Sequence, residues 1–194
     1  MSIKVAINGF GRIGRCTLRA IYEQGLQNEF EVVAINASGD LATNAHLLKY
    51  DTTHGRFATS VETEGDNVII IDGKKIPFYS TKDPKGVNWG SHGVDVLLEC
   101  TGAYTTKAKA QALLDQGAKR VLISAPGGDD VDTTIVMGVN EEALRADMTV
   151  VSNASCTTNC LAPVAKILAD SVGIKQGLMT TIHAYTNDQV TVDV

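Results

Sequence analysis

The chain has little of several features that mark special classes of protein. It contains only four cysteines in 194 residues, too few for a disulfide scaffold, which indicates a reducing compartment. The 17 basic residues are outnumbered by 22 acidic ones, which argues against general nucleic-acid binding. No apolar run approaches the roughly 18 residues of a membrane span, and the amino terminus lacks the layout of a signal peptide. We therefore expect a cytoplasmic protein with no nucleic-acid and no membrane partner.

What the chain does have is an alternation of β-branched runs with helical stretches, and 44% of its residues are hydrophobic. The pattern predicts strands at residues 3–7, 31–36, 95–100, 120–124, 134–139, 149–152 and 178–183, a hairpin at 68–71 and 75–79, and helices at 12–24, 43–50, 106–116 and up to 172. Such alternation predicts an α/β fold with a mainly parallel sheet covered on both faces. The best domain boundary lies near residue 152.

A G-x-G-x-x-G pattern, formed by Gly9, Gly11 and Gly14, follows the first strand and opens the first helix. In that context each glycine has a role in binding a dinucleotide: the turn, the close approach of a pyrophosphate, and the packing of helix on strand. The helix amino terminus adds N–H groups and a partial positive charge. A purely structural turn is the less favoured alternative.

The acidic residue that this fingerprint places about 20 positions later is missing. The second strand ends at Ala37 and Ser38, and Asp40 lies beyond a glycine. Ala37 can neither bind the ribose hydroxyls nor repel a 2′-phosphate, but residues 25–48 include no Lys or Arg to attract that phosphate. The sequence predicts NAD as the cofactor and leaves NADP as an alternative.

One cysteine occupies a position that favours reactivity. Cys156 lies beside three residues that can cap a helix, Ser155, Thr157 and Thr158, so a helix is expected to begin near it. A thiolate at a helix amino terminus is favoured by unpaired N–H groups and the dipole. The alternative is a small buried hydrophobe, which is our interpretation of Cys16 and Cys100. A disulfide or metal pair of Cys156 with Cys160 is less favoured, because no second ligand pair follows.

His183 is the candidate base among the four histidines. It ends an apolar strand-like run, and site residues gather at strand ends, although its spacing fits a structural role equally well. The other three, His46, His54 and His92, are expected to face solvent.

Several segments together resemble phosphorylating glyceraldehyde-3-phosphate dehydrogenase. They lie at residues 8–15, 49–55, 124–126, 137–140, 152–163 and 180–189. The run Ala-Ser-Cys-Thr-Thr-Asn-Cys-Leu at 154–161 is specific to that family and to the similar erythrose-4-phosphate dehydrogenase. Aldehyde dehydrogenases of the aspartate-semialdehyde kind are a more distant match, because their resemblance does not extend through this run.

The resemblance implies a Rossmann dinucleotide-binding domain at residues 1–152. Residues 153–194 would then begin an α+β catalytic domain that is truncated, and we expect a protein of these residues alone to be inactive. Further phosphate-binding residues and the one that orients the nicotinamide would lie later in the chain. The resemblance also implies a homotetramer.

The resemblance also assigns roles to particular residues. Cys156 is the nucleophile and His183 is the base that activates it. The positions that match contacts to substrate phosphate are Ser155, Thr157 and Thr186. The positions that match cofactor contacts are Asn8, Gly9, Gly11, Arg12, Ile13, Gly14, Lys82, Thr101 and Ser124. No metal is expected.

The implied activity is glycolytic: glyceraldehyde 3-phosphate and inorganic phosphate give 1,3-bisphosphoglycerate, with reduction of NAD. The residue types suit it, because cysteine is both a good nucleophile and a good leaving group for a hemithioacetal and thioester route. Imidazole is a base matched to neutral pH. The alternatives are an erythrose-4-phosphate dehydrogenase and a non-catalytic nucleotide-binding fragment.

Overall fold

The structure, a computed structural model, describes residues 2–83 and 85–186. The strands are β1 (Ile3–Asn8), β2 (Phe30–Ala37), β3 (Tyr50–Asp51), β4 (Gly55–Arg56), β5 (Val61–Glu64), β6 (Val68–Ile71), β7 (Lys74–Ser80), β8 (Val96–Glu99), β9 (Val121–Ile123), β10 (Thr133–Thr134) and β11 (Val150–Ser152). The helices are α1 (Arg12–Glu23), α2 (Leu41–Lys49), α3 (Lys107–Asp115) and α4 (Cys156–Val172), with short 3₁₀ turns at Trp89–His92 and Glu141–Ala143.

Nine strands form one sheet in the order β10-β11-β9-β8-β1-β2-β7-β6-β5, and β3 pairs with β4 separately. Within the nine-stranded sheet, pairing is parallel from β10 to β7, whereas β6 pairs antiparallel with both β5 and β7. The predicted α/β fold with a mainly parallel sheet is therefore confirmed. The strand order reverses at β1, and in open α/β sheets ligands bind at the carboxyl ends of the strands at such a point.

Both faces of the sheet are covered, as the apolar strands predict. Successive residues point to opposite faces, so Ile7 and Ile35 belong to one buried cluster, which includes side chains from α1 and α2. Ala6 and Ala34 belong to the other, with Trp89 and residues of α3. The sheet is thus held rigidly between two apolar layers, which fixes the positions of its strand ends.

The β6–β7 hairpin forms as predicted. Its turn residues, Asp72 and Gly73, both have positive φ, at 52° and 75°, the backbone that a two-residue hairpin loop requires. Asp and Gly are two of the residues that tolerate this conformation, so the local sequence determines the turn.

The strand predicted at 134–139 is wrong beyond its first residue. Oδ1 of Asn140 accepts a hydrogen bond from the N–H of Val136 at 2.8 Å, and its Nδ2 donates to the carbonyl of Thr134 at 3.0 Å. Gly138 has a φ of 80°. The Asn140 side chain thus takes the backbone groups that a longer strand would offer to a neighbour, and the chain turns.

The strand predicted at 178–183 is also wrong within the described residues. This segment has no regular secondary structure, and Leu178 and Ile182 are almost fully exposed. A strand needs a neighbour for its N–H and C=O groups, and none of the described residues supplies one. The resembling segment at 180–189 extends beyond residue 186, so its last residues lie outside the described part.

The final sheet strand and the helix after it differ in packing. β11 is buried at Val150 and Ser152, whereas α4 buries no residue. α4 runs unbroken through Pro163. This difference agrees with a boundary near residue 152, and the division into residues 1–152 and 153–194 stays a prediction.

Candidate active site

The glycine-rich turn between β1 and α1 lies where the strand order reverses. Gly9 has a φ of 97°, and a Cβ there would lie 2.6 Å from backbone atoms of Cys100 and Thr101. A Cβ on Gly14 would lie 2.2 Å from the carbonyl oxygen of Gly9. The absence of side chains at Gly9 and Gly14 therefore lets the turn pack on the end of β8 and lets α1 pack on the turn.

Gly11 has a different environment. It is the N-cap of α1, and no side chain accepts a hydrogen bond there. Nothing lies within 4 Å of the position that a Cβ on Gly11 would take. The first N–H groups of an α-helix have no partners within the helix and attract an anion. The uncapped helix end and the open space above Gly11 fit the pyrophosphate of a dinucleotide.

The predicted cofactor residues Arg12 and Ile13 begin α1. Arg12 donates two hydrogen bonds to Asp51, at 2.8 and 3.3 Å, and Asp51 also accepts from the N–H groups of Thr53 and His54. The Arg12 hydrogen bond is the main reason that the pKa of Asp51 lies far below its usual range. Ile13 is 52% exposed, so it offers apolar surface beside the turn.

A buried hydrogen-bond network, here called the strand-end network, crosses the carboxyl ends of β8, β1 and β2. Nδ2 of Asn8 donates to Oε2 of Glu99 at 2.6 Å, and Nδ2 of Asn36 donates to Oδ1 of Asn8 at 2.8 Å. Nδ2 of Asn36 also donates to the carbonyl of Thr81 at 3.0 Å, and its Oδ1 accepts from the Thr81 N–H at 3.1 Å. Oε1 of Glu99 accepts from the N–H of Thr101 at 2.7 Å and from its hydroxyl.

Sequence reasoning named Asn8 and Thr101 but missed Glu99 and Asn36. Glu99 is fully buried, and Asn36 is 6% exposed. Burial is the main reason that the pKa of Glu99 is raised, and its hydrogen bonds from Thr101 and Asn8 oppose that shift. The sequence pattern could have identified both residues as candidates, because each has a polar side chain at the end of an apolar strand.

The other predicted cofactor residues lie on loops at the same edge of the sheet. Lys82 directly follows Thr81 and is exposed. Ser124 directly follows β9, and its N–H donates to the carbonyl of Glu99 at 3.0 Å. The structure thus brings the predicted cofactor positions to one edge, although contacts with a cofactor stay a prediction.

The end of β2 offers no acid for a ribose. Ala37 is the last residue of β2 and is 4% exposed. Asp40 caps α2, because its carboxylate accepts the N–H and the hydroxyl of Thr43, each at 2.8 Å. These two bonds are the main causes that lower the pKa of Asp40. The carboxylate of Asp40 is thus already engaged in capping α2.

The helix start predicted near Cys156 is confirmed, and Cys156 is the first residue of α4. Ser155 is the N-cap, and its Oγ accepts the N–H of Thr158 at 3.0 Å. The Ser155 hydroxyl also lies 2.7 Å from the hydroxyl of Thr158. The thiol is therefore held at the positive end of a 17-residue helix.

The turn before Cys156 is held by a residue to which sequence reasoning gave no role. Nδ2 of Asn159 donates to the carbonyls of Asn153 and Ser155, at 2.8 and 2.9 Å. Ala154, which lies between these two residues, has a φ of 58°, a conformation that residues with a Cβ rarely adopt. Asn159 thus stabilises a sharp turn that directs the chain from β11 into α4.

Cys156 and His183 are in contact, although 27 positions separate them. Sγ of Cys156 lies 3.2 Å from Nε2 of His183, and Nδ1 of His183 faces the carbonyl of Ala184. The contact with His183 is the main cause that lowers the pKa of Cys156, and Thr157 adds to it. The Ala184 carbonyl, and then Cys156, raise the pKa of His183. Both shifts favour a thiolate beside an imidazolium.

These two side chains line an open cleft of about 370 Å³ between α4 and residues 179–183. Of the three predicted phosphate contacts, Thr157 lines this cleft, whereas Ser155 and Thr186 do not. Thr157 is thus the predicted substrate residue that lines the same cleft as Cys156 and His183. The roles of all three stay predictions.

The remaining cysteines are free thiols. Cys160 is exposed and also lines the cleft, one turn into α4. Cys16 and Cys100 are partly buried, which agrees with a packing role, and burial raises the pKa of Cys100 to about 11.

Two of the other histidines, His46 and His54, are exposed as predicted. The prediction for His92 is wrong, because that ring is half-buried, with Nε2 2.8 Å from the hydroxyl of Tyr79.

Two further findings concern residues 2–83 and 85–186. No three His, Cys, Asp or Glu side chains in this part of the chain are arranged to hold a metal ion. None of its helices combines the length and apolar character needed to cross a membrane.

Comparison with known proteins places this architecture in a family. Residues 3–107 match the family described as glyceraldehyde 3-phosphate dehydrogenase, NAD binding domain, and residues 155–194 match the corresponding C-terminal domain. The plasmid glyceraldehyde-3-phosphate dehydrogenase of Cupriavidus necator is 58% identical over 194 residues, which are 100% of this chain and 57% of that relative. The glyceraldehyde-3-phosphate dehydrogenase of Pseudomonas aeruginosa is 55% identical over 100% of this chain and 58% of its own length.

The chain thus spans a little over half the length of these relatives. The two family matches contain the two features described above: the glycine-rich turn lies in the first, and the Cys156–His183 contact lies in the second. The chain belongs to the glyceraldehyde 3-phosphate dehydrogenase family.

Proposed function

We propose that the complete protein is an NAD-dependent phosphorylating dehydrogenase of glycolysis that converts glyceraldehyde 3-phosphate and inorganic phosphate to 1,3-bisphosphoglycerate. The observation that carries this proposal is the 3.2 Å contact of Cys156 Sγ with His183 Nε2 at the start of α4. A nucleophile and a base within hydrogen-bond reach are the geometric requirement for covalent catalysis. The names of the relatives support the substrate.

The chemistry follows from the two side chains. His183 Nε2 takes the thiol proton, and Sγ of Cys156 adds to the aldehyde carbon to form a hemithioacetal. The N–H groups at the start of α4 stabilise the developing oxyanion. The His183 imidazolium returns its proton to this oxygen to give the hemithioacetal hydroxyl, and Nε2 takes the same proton back as hydride leaves, so that a thioester remains on Cys156. Attack of inorganic phosphate on this thioester releases the acyl phosphate and restores the thiolate.

The proposed cofactor residues lie at the glycine-rich turn and the loops beside it. The α1 amino terminus would hold the pyrophosphate above Gly11, and Arg12, Lys82 and Thr101 lie around the same edge of the sheet. When bound, the nicotinamide supplies the hydride acceptor. We propose NAD as the working cofactor with measurable use of NADP, because Ala37 supplies neither a ribose ligand nor repulsion of a 2′-phosphate.

The test is a comparison of substrates in the complete protein. Turnover of glyceraldehyde 3-phosphate with NAD should exceed that of erythrose 4-phosphate and should depend on inorganic phosphate. A Cys156→Ser variant should lose this activity and keep most of its NAD binding, since Cys156 is separate from the glycine-rich turn. A preference for erythrose 4-phosphate would contradict the proposed substrate, and full activity of the serine variant would contradict the mechanism.

Assembly and compartment belong to the same proposal. We expect the complete protein to form the homotetramer implied by the family resemblance and to work in the cytoplasm. Sedimentation equilibrium of the complete protein and cell fractionation measure these two properties directly.

A further inference from the structure

The strand-end network has a fixed direction of donors and acceptors. At one end, the backbone of Thr81 both donates to Oδ1 and accepts from Nδ2 of Asn36, so the Asn36 amide has a single satisfactory orientation. Its Nδ2 must therefore also donate to Oδ1 of Asn8. This leaves Nδ2 of Asn8 to donate to Glu99. The backbone N–H and C=O of Thr81 therefore set which atom donates and which accepts in every bond of the network, because backbone groups cannot exchange places as the two ends of a side-chain amide can.

At the other end, both oxygens of Glu99 face N–H donors. Oε2 accepts from Nδ2 of Asn8, and Oε1 accepts from the backbone N–H of Thr101. An amide in place of this carboxyl group would set its own NH₂ against one of those two donors in either of its orientations. The network therefore requires an acid at position 99. Because Glu99 is fully buried, water cannot compensate for a mismatch.

The network connects two chain segments that carry predicted cofactor contacts. Thr101 follows β8 and Lys82 follows Thr81 after β7, and two strands, β1 and β2, lie between β8 and β7 in the sheet. Within the described residues Glu99 forms no ion pair, so hydrogen bonds alone hold its carboxyl group. Burying an acid is costly unless hydrogen bonds replace its contacts with water, and a fully satisfied buried network is rigid.

We infer that Glu99 is a positioning residue for the dinucleotide. It fixes Thr101 directly, and it fixes the Thr81 segment through Asn8 and Asn36, so that both sides of the cofactor site are held before the cofactor binds. This inference rests on the proposed function, since it assumes that a dinucleotide occupies the edge of the sheet above Gly11.

The first test is Glu99→Gln, which keeps the shape of the side chain and sets its NH₂ group against one of the two donors. The dissociation constant for NAD, measured by isothermal titration calorimetry on protein shown to be folded by circular dichroism, should rise by about tenfold or more. Glu62→Gln, at an exposed strand position, is the matched control and should leave the constant unchanged. The parent protein is measured beside both variants.

The second test is the double variant Asn8→Asp with Glu99→Gln. In this variant the carboxylate at position 8 accepts from Asn36 and from the new amide at position 99, whose oxygen accepts from Thr101. Every bond in the network is restored. Because position 8 is itself a predicted cofactor contact, Asn8→Asp alone is measured as well, and the double variant should bind NAD about tenfold more tightly than either single variant. If Glu99→Gln does not fold, the comparison of the double variant with Asn8→Asp carries the test.

The outcomes separate this inference from the proposed function. A Glu99→Gln variant with a lower melting temperature and an unchanged NAD constant would overturn the positioning role, because the network would then only stabilise the fold. A folded double variant that regains its melting temperature but binds NAD no more tightly than either single variant would overturn it as well. A parent protein that binds no NAD would overturn the proposed function, and the role of Glu99 with it.

Discussion

At the scale of single residues, we propose that the reactivity of Cys156 depends on its contact with His183. The two side chains shift each other's pKa in the directions that favour the ion pair. In His183→Asn we expect the alkylation rate of Cys156 at neutral pH to fall, and its pH profile to move up toward the ordinary thiol value of about 8.5. Turnover of the complete protein should fall by roughly 10²–10⁴-fold, the range for loss of a general base.

The control for this variant is His54→Asn, because His54 is exposed and lies outside the cleft. Its alkylation profile and turnover should match those of the parent. A fall in turnover of less than about tenfold in His183→Asn, with the pH profile unmoved, would mean that His183 is structural.

Cofactor choice is a second prediction at this scale, and it concerns Ala37. In Ala37→Asp the new carboxylate at the end of β2 should bind the ribose hydroxyls and repel a 2′-phosphate. We expect the ratio of kcat/KM for NAD to that for NADP to rise, and Ser38→Ala serves as the neighbouring control. If the parent already rejects NADP as strongly as this variant does, position 37 does not select the cofactor.

Residues with a local signal could be predicted from the sequence, and residues that act through distant partners could not. Cys156 was identified by its position at a helix start. The assignment of His183 as the base comes only from the family resemblance, because its spacing alone fits a structural role equally well. Glu99 and Asn159 were missed because their roles depend on which backbone groups lie beside them, and a sequence does not give those neighbours.

At the scale of elements, the two glycines of the β1–α1 turn should respond differently to substitution. In Gly14→Ala the Cβ would lie 2.2 Å from the Gly9 carbonyl oxygen, so we expect a loss of about 1–3 kcal/mol in the free energy of unfolding. In Gly11→Ala the Cβ meets open space, so stability should change by less than about 1 kcal/mol. NAD affinity should nevertheless fall, because the Cβ occupies space proposed for the pyrophosphate.

Urea unfolding and NAD titration of the two variants check this prediction, and each serves as the control for the other. Equal losses of stability in both, or unchanged NAD affinity in Gly11→Ala, would contradict the roles assigned to the turn.

Helices and strands could be predicted where the residues of one segment determine its conformation without a partner segment. β1, β2 and α1 follow from apolar pattern and glycine placement, and the β6–β7 hairpin follows from its Asp-Gly turn. β10 is shorter than predicted because the Asn140 side chain replaces a strand neighbour. Residues 178–183 have an apolar strand pattern but no neighbour in the described residues, and pairing is a property of two segments.

At the scale of the whole molecule, the carboxylate of Asp132, in the loop before β10, joins the start of α3 to the start of β11. Burial alone would raise the pKa of Asp132, but the Lys107 ion pair and the N–H groups of Val150 and Thr149 outweigh it, so the pKa lies well below its usual range. A carboxyl group with a lowered pKa stabilises the fold above its unfolded value of about 4, and this stabilisation is lost as pH falls toward the folded value.

Asp132→Asn should therefore lower the free energy of unfolding at pH 7 by about 1–3 kcal/mol. As pH decreases from about 5 to 2, the free energy of unfolding of this variant should also fall less steeply than that of the parent. Asp129→Asn, on the exposed part of the same loop, should change neither. The measurement is urea unfolding across this pH range. If the free energy of unfolding of Asp132→Asn falls with pH as steeply as that of the parent, this carboxylate does not hold the loop.

The central claim is that Cys156 carries the substrate as a thioester. The most direct measurement is peptide mass spectrometry of the complete protein after reaction with glyceraldehyde 3-phosphate and NAD without inorganic phosphate. We predict an acyl adduct on Cys156 that inorganic phosphate removes, and no adduct in Cys156→Ser. An adduct on another residue, or one that phosphate does not discharge, would contradict the account.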